Sequence, residues 1–371
     1  QLGFDSLQLH MNSPIAKWWE PIKGVNQMSL NKVLCTLCPR YCKIGDNQAG
    51  FCYIRRNREG VLYQDGYGTS TGFAVDPIEK KPLNHFLPGT PVLSFGTAGC
   101  NLGCKYCQNW HMSKVKSDEV RSISNLAPEY VVNLAIQHKC PSIAYTYNDP
   151  IIWGEWVIDI AKIARKHGIK NVMVTNGYIT KEAREEIFPF IDAANIDFKA
   201  ITESFYHKLT YSHLEDVLDT IKWLYNETDV WIELTNLIIP THNDKEDEFK
   251  EMVEWILENC DDKIPLHFTA FHPTFKMKDL PRTPQGTLNR ARRIAIDMGM
   301  KYVYVGNVFD ETGQTTYCPS CRTPLIQRDW HAIRANRMKE NKCGNCESEI
   351  SGVFTGEVNL TEGRRTILGI A

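Results

Sequence analysis

Seven short β-rich runs, PVLSFGT, SIAYTY, NVMVTN, AANIDF, VWIELTN, PLHFTAF and KYVYVG, lie between about residues 91 and 305. Helical patterns separate them, at about 128–138, 151–167, 180–188, 213–226, 245–258 and 286–299, with apolar residues recurring at three- and four-residue spacing. Parallel strands can be joined only through a crossover long enough to carry the chain back along the sheet, and a helix is the usual crossover. Six or seven such units close, or nearly close, into a barrel. An open doubly wound sheet is the alternative. No Gly-rich dinucleotide fingerprint follows the first run, which counts against the nicotinamide-binding form of that alternative.

In such a barrel the chemistry sits where strands end at their C-terminal face. Polar residues gather at those ends: Thr97, then Tyr147, Asn148 and Asp149, then Thr175 and Asn176, then Asp197 and Lys199, then Glu233 and Asn236, then His272. Loops are polar in any protein, but repetition over six strands predicts a shared pocket.

A chain of 371 residues with 43% hydrophobic composition has ample material for one large domain and one or two small ones. The formal net charge of −2 and the absence of a long Lys/Arg run leave out the electrostatic footprint of a nucleic-acid binder. No stretch approaches the length of a membrane span, and the first residues, QLGFDSLQLHMNSP, lack a basic start and a long apolar run, so a cytoplasmic protein is expected. The thirteen cysteines form three groups, 35/38/42/52, 100/104/107 and 318/321/343/346, with Cys140 and Cys260 left over as ordinary thiols. Short spacings in a long chain of this kind point to metals rather than disulfides.

The central group, GCNLGCKYCQNW, places Cys100, Cys104 and Cys107 within eight residues and offers no fourth cysteine nearby. A structural zinc site closes its shell with four ligands; a three-cysteine zinc site would have to borrow one. Three thiolates can instead hold three irons of a four-iron four-sulfur cluster and leave the fourth iron open. Cys-x3-Cys-x2-Cys with an aromatic, Tyr106, before the last cysteine, after the first strand of a βα series, resembles the signature of the radical S-adenosylmethionine (radical SAM) superfamily. The stretch VDPIEKKPLNHFLPGTPVLSFGTAGCNLGCKYCQNW, with YTYND, VTNGY, DFKA, FHPTFKM and YVYVGN, resembles the radical SAM member of the AmmeMemoRadiSam group, related to activases of pyruvate formate-lyase and other glycyl radical enzymes. The resemblance runs from about Cys35 to Cys346.

That resemblance implies a partial (β/α)6 barrel, here over residues 91–310, and reductive cleavage of S-adenosylmethionine to a 5′-deoxyadenosyl radical that abstracts hydrogen from a substrate. It also implies an electron donor of low potential such as flavodoxin or ferredoxin. The open iron would be chelated by the methionine moiety, which accounts for the missing thiolate. By the same resemblance Tyr106 lies near the adenine, and Tyr147, Asn148 and Asp149 of TYNDP stand where many relatives carry Gly-Gly-Glu-Pro and hold the methionine amino group. Asp149 is one methylene shorter than the usual Glu. Asn176 is implied as a ribose contact, Asp197 and Lys199 as contacts of the methionine end, and His272 as a cofactor-facing histidine.

Cys318-Pro-Ser-Cys321 and Cys343-Gly-Asn-Cys346, with twenty-one residues between the pairs, have zinc-ribbon spacing and are expected to hold a structural zinc within a C-terminal unit, 311–371. In the N-terminal segment, 1–90, Cys35, Cys38, Cys42 and Cys52 form a complete four-thiolate set that suits zinc or a second iron–sulfur cluster. Zinc is the expectation, because a closed site in a short Gly-containing segment needs only a cross-link to fold. Relatedness to the activases suggests a protein glycine as the substrate, while the group's association with Memo-like and AMMECR-like proteins leaves a small molecule or peptide open. An RNA-modifying enzyme and a non-catalytic, metal-bound scaffold for those partners are the competing readings.

Overall fold

Nine strands form one sheet in the computed structural model, which describes residues 13–23, 31–116, 122–354 and 358–369. The first twelve residues, most of the stretch read above for a leader, lie outside the described residues. In chain order the sheet contains Phe73–Pro77 (β1), Pro91–Phe95 (β2), Ser142–Tyr145 (β3), Lys170–Thr175 (β4), Ala193–Asp197 (β5), Trp231–Ile238 (β6), Leu266–Ala270 (β7), Val303–Gly306 (β8) and Thr366–Leu368 (β9). Strands β2 to β8 are parallel and lie in sequence order. Between them run the helices Pro128–Gln137 (α1), Gly154–Lys166 (α2), Lys181–Ile187 (α3), Leu214–Glu227 (α4), Glu246–Asn259 (α5) and Gln285–Asp297 (α6). The six expected βα units are therefore present, followed by a seventh parallel strand.

Local chemistry explains these elements. All four residues of β3 are buried, as a strand covered on both faces requires. Helix α2 buries Trp156, Val157, Ile160, Ala161 and Ala164, one face of a 3.6-residue repeat, and Gly168 at φ +69° ends it in the left-handed conformation. Pro128 stands at the first turn of α1, where a missing N–H costs nothing, and Glu246, Asp247 and Glu248 favour the N-terminus of α5.

The sheet does not close on itself by strand pairing among the described residues, since β8 and β9 are its two edges. Both flanks of the chain are drawn into it. β1, from the N-terminal segment, pairs antiparallel with β2, and β9, from the C-terminal tail, pairs antiparallel with β1. Between β1 and β2 the chain enters the half-barrel from the N-terminal end of its parallel strands: Ile78, Leu83, Phe86 and Leu87 pack on Val92, Ala144, Val172 and Ala193. Ala144, Val172 and Ala193 share one register row, so small side chains there leave room for this plug.

The C-terminal ribbon closes the lateral gap. Its Cys318, Leu325, Ile326, Ile333, Cys343 and Ile350 share a core with Tyr302 and Tyr304 at the last parallel strand. Leu87 N donates to Val353 O (2.8 Å) and Val353 N to His85 O (2.7 Å), so plug and ribbon are bonded backbone to backbone. The His85 Nδ1–H donates to the Ser351 carbonyl (2.6 Å), and Nε2 lies 2.6 Å from the Tyr304 hydroxyl.

Burial pushes His85 down to about 4, with Glu233 opposing it. Below about pH 6.5 the unfolded chain binds a proton there that the folded chain refuses, so stability is full above that pH and falls as pH drops toward 4. The loss tends toward ~3 kcal/mol. Urea unfolding from pH 7 to pH 4 is expected to show this slope, flattened in His85→Asn; an unchanged slope would show that His85 is not the titrating group.

Candidate active site

A cavity of about 650 Å³ opens at the C-terminal ends of the parallel strands. The loop after β2 brings Cys100, Cys104 and Cys107 to one side, the strand ends supply Asp149, Asn176, Asp197 and Lys199, and the plug supplies Lys80 and Lys81. Arg328, Trp330 and His331 of the ribbon and Arg365 of the tail complete the wall.

The cysteine loop is held from two directions. Asn148 accepts from Thr97 N (3.1 Å) and donates through Nδ2 to Thr97 Oγ1 (2.9 Å), Ala98 O (3.2 Å) and Gly99 O (2.9 Å). Gly103 N donates to Thr210 O (2.8 Å), Lys105 N to Leu209 O (2.9 Å), and Lys114 Nζ to Leu102 O. At Gly99, φ is +83° and a Cβ would stand 2.0 Å from the Cys52 carbonyl, so only glycine fits. Burial raises all three thiols, Cys100 to about 11 despite Lys114. Thiolates here therefore need a metal to neutralise them, and the donor set fits a polynuclear iron–sulfur centre.

Among the residues expected to contact the cofactor, Tyr106, Tyr147, Asn148, Asp149, Asn176, Asp197 and Lys199 all line the cavity. Asn148 spends its amide on the cysteine loop, which makes it a positioning residue. Asp149 is likewise committed: it accepts from Asn176 N (2.7 Å), Ile151 N (3.0 Å) and Thr175 Oγ1 (3.1 Å), fastening the end of β3 to that of β4. Burial raises it to about 6 against those hydrogen bonds. Asn176 donates to Asn101 Oδ1 (2.8 Å) and so ties the loop to β4. Lys199 pairs with Asp197 (2.8 Å); burial works against its charge, but Asp197 overrides that and raises it well above the usual lysine range. Tyr106 is buried beside Phe205, and its hydroxyl has no hydrogen-bond partner among the described residues. A buried orphan donor at a cavity wall is a place for a ligand atom.

His272 is a correction. Phe271 turns into the core, fixed by its N–H to Thr283 Oγ1 (2.8 Å), and the next side chain points outward: His272 is exposed and does not line the cavity. The buried histidine that does so is His267, within β7, whose Nε2 meets Glu233 (2.7 Å). Burial would raise Glu233, but the hydrogen bond from His267 and the neighbouring charge hold it below the usual range.

A group of cations was not legible in sequence. Asp76 at β1 receives Lys81 (2.7 Å), Lys80 (3.0 Å), Arg365 (3.4 Å) and the Tyr147 hydroxyl (2.8 Å). Burial lowers Lys81 to about 8, against the pull of Asp76. Three cations on one carboxylate leave an excess of positive charge in the cavity wall.

The two flanking cysteine sets differ in geometry. The sulfurs of Cys318, Cys321, Cys343 and Cys346 all lie within 4.8 Å of one another, with Cys318–Cys346 at 3.6 Å and Cys321–Cys343 at 3.7 Å. One tetrahedral ion suits that spacing. Cys35, Cys38 and Cys52 are buried and Cys42 is half-buried around a small cavity behind the central loop.

Parallel strands wound as a part-barrel, with three thiols on the loop after the first of them, define a radical SAM enzyme, and the family model described as "Radical SAM superfamily" matches residues 95–256. The chain belongs to that superfamily. It is 46% identical over 298 residues to an uncharacterized protein of Methanocaldococcus jannaschii, across 80% of this chain and 88% of that protein. It is 23% identical over 193 residues to the pyruvate formate-lyase-activating enzyme of Clostridium pasteurianum, across 50% of this chain and 76% of the relative. A domain of pyruvate-formate lyase-activating enzyme from Bacteroides vulgatus superposes with a TM-score of 0.40 at 18% identity, covering 44% of this chain and 98% of that domain. No helix among the described residues is long and apolar enough to cross a membrane.

Proposed function

We propose that the chain cleaves S-adenosylmethionine reductively, with Cys100, Cys104 and Cys107 holding a four-iron four-sulfur cluster, and uses the product to abstract hydrogen from a substrate. The observation that carries this reading is that three thiols, and no fourth among the described residues, line the cavity on a loop pinned at both ends. When bound, the cluster and S-adenosylmethionine supply one-electron reduction and hydrogen abstraction at a 5′-deoxyadenosyl carbon. The protein's part is to orient and to exclude water. The Asp197–Lys199 pair and Asn176 offer charge and hydrogen bonds to the methionine and ribose portions, and Tyr106 offers its face and its unpartnered hydroxyl.

Lys80, Lys81 and Arg365 suit a substrate that brings a carboxylate or phosphate into the same cavity. Such a substrate is a small molecule or a peptide segment; a glycine of a partner protein, the reading suggested by activase kinship, must thread its loop past Trp330 and His331. Membership of the AmmeMemoRadiSam group, partnership with Memo-like and AMMECR-like proteins, a flavodoxin or ferredoxin donor, zinc at Cys318–Cys346 and a cytoplasmic location belong to this same reading. RNA modification is disfavoured by the net charge of −2. The test is 5′-deoxyadenosine release from anaerobically reconstituted protein with dithionite and S-adenosylmethionine. Release at an amount matching the cofactor consumed is expected; none would leave a metal-bound scaffold in its place.

A further inference from the structure

Zinc is the expectation from sequence for Cys35, Cys38, Cys42 and Cys52, and the geometry argues otherwise. Thiolates on one zinc sit about 2.3 Å from the ion, and a tetrahedron then brings them roughly 3.8 Å apart. The C-terminal quartet shows that arrangement, with sulfur contacts of 3.6 and 3.7 Å and all four sulfurs within 4.8 Å of one another. Among the described residues it is the one group of three or more His, Cys, Asp or Glu ligand atoms that meets the 4.8 Å limit. No three of the N-terminal sulfurs meet it, and neither do Cys100, Cys104 and Cys107. The N-terminal thiols thus lie outside the single-ion spacing that the ribbon keeps, as do those of the active-site loop.

They also surround space. With Leu37, Phe51 and Ile152 they enclose about 10 Å³, room for one water-sized sphere, whereas four thiolates closed on a single ion leave none between them. We propose that Cys35, Cys38, Cys42 and Cys52 hold a second iron–sulfur cluster, set back to back with the active-site loop. Asn101 separates the two sites: it belongs to the wall of the N-terminal pocket, while its covalent neighbour Cys100 lines the active cavity. Arg40 donates to the Asn101 carbonyl from between Cys38 and Cys42, and the Cys52 carbonyl rests on Gly99. Phe51, partly exposed, lines the pocket and also packs on Gly103 of the active-site loop, so one side chain touches both sites.

The test is metal analysis of anaerobically reconstituted protein in which Cys100, Cys104 and Cys107 are all replaced by Ala. Two to four irons with matching sulfide per chain, and an electron paramagnetic resonance signal on dithionite reduction, are expected to remain. Adding Cys38→Ala and Cys42→Ala is expected to remove them. An iron-free triple variant carrying two zincs would overturn the proposal. Wild-type protein gives a check that does not depend on a variant's folding: more than four irons with about one zinc supports the second cluster, and four irons with two zincs overturns it. Iron in the triple variant tests the N-terminal site and nucleoside release tests Cys100–Cys107, so either assignment can fail without the other.

Discussion

Replacing Cys104 by Ala is expected to reduce 5′-deoxyadenosine release to background while the ion at Cys318–Cys346 stays bound. The physical reason is the economy of the site: the cavity is lined by three thiols, so loss of one leaves two, with no cysteine among the described lining residues to substitute. Burial raises the Cys104 thiol despite Lys199, so a thiolate at this position needs a bound metal, and Ala removes the ligand outright. The loop itself should survive. Its fastenings run through Asn148 and the backbone of Gly103 and Lys105, none of which uses the Cys104 side chain. Circular dichroism and thermal unfolding should therefore match the wild type in the metal-free state. Undiminished nucleoside release from this variant would sink the cluster assignment.

The second large effect is expected at the other end of the chain, and it is of a different kind. Cys321→Ser should release the C-terminal ion and lower Tm by about 5 °C or more, because structural metal binding is folding free energy for a unit this small. The contact with Thr323, followed by that from Asn345, pulls the Cys321 thiol down to about 5, so the ligand stands ready in its thiolate form. Activity should fall as a consequence of that unfolding, since Arg328, Trp330 and His331 reach the cavity from the same ribbon. Differential scanning calorimetry with zinc analysis checks the order of events. A variant with its ion retained and its Tm unchanged would show that the quartet is not a structural site.

The barrel was legible because its strands and helices obey two different periodicities, and the six crossover helices begin and end within three residues of the stretches that their apolar spacing marks. The cysteine loop was legible because its ligands are local in sequence. Residues whose role depends on distant partners were not. Asp149 carries the chemistry of a ligand-binding carboxylate, yet its oxygens are spent on Asn176, Thr175 and Ile151, which no spacing rule reveals. The same holds for Asp76, whose partners Lys81 and Arg365 lie 5 and 289 residues away. That VDPIEKKPLNHFLPG is a plug shows only in the row Ala144, Val172 and Ala193 on which it packs. His272 misled because a strand-end position says nothing about which side of the chain faces inward.

The wall that seals the cavity has a bearing on how the protein is made. Arg328, Trp330, His331 and Arg365 are translated after every parallel strand of the barrel, and β9 has no partner edge to complete until β1 and β2 are in place. The loop of Cys100, Cys104 and Cys107 is thus synthesised well before the ribbon and tail residues that wall it in. Access to those thiols is wider without the ribbon and tail than in the finished fold, where Arg328, Trp330, His331 and Arg365 stand in the cavity wall.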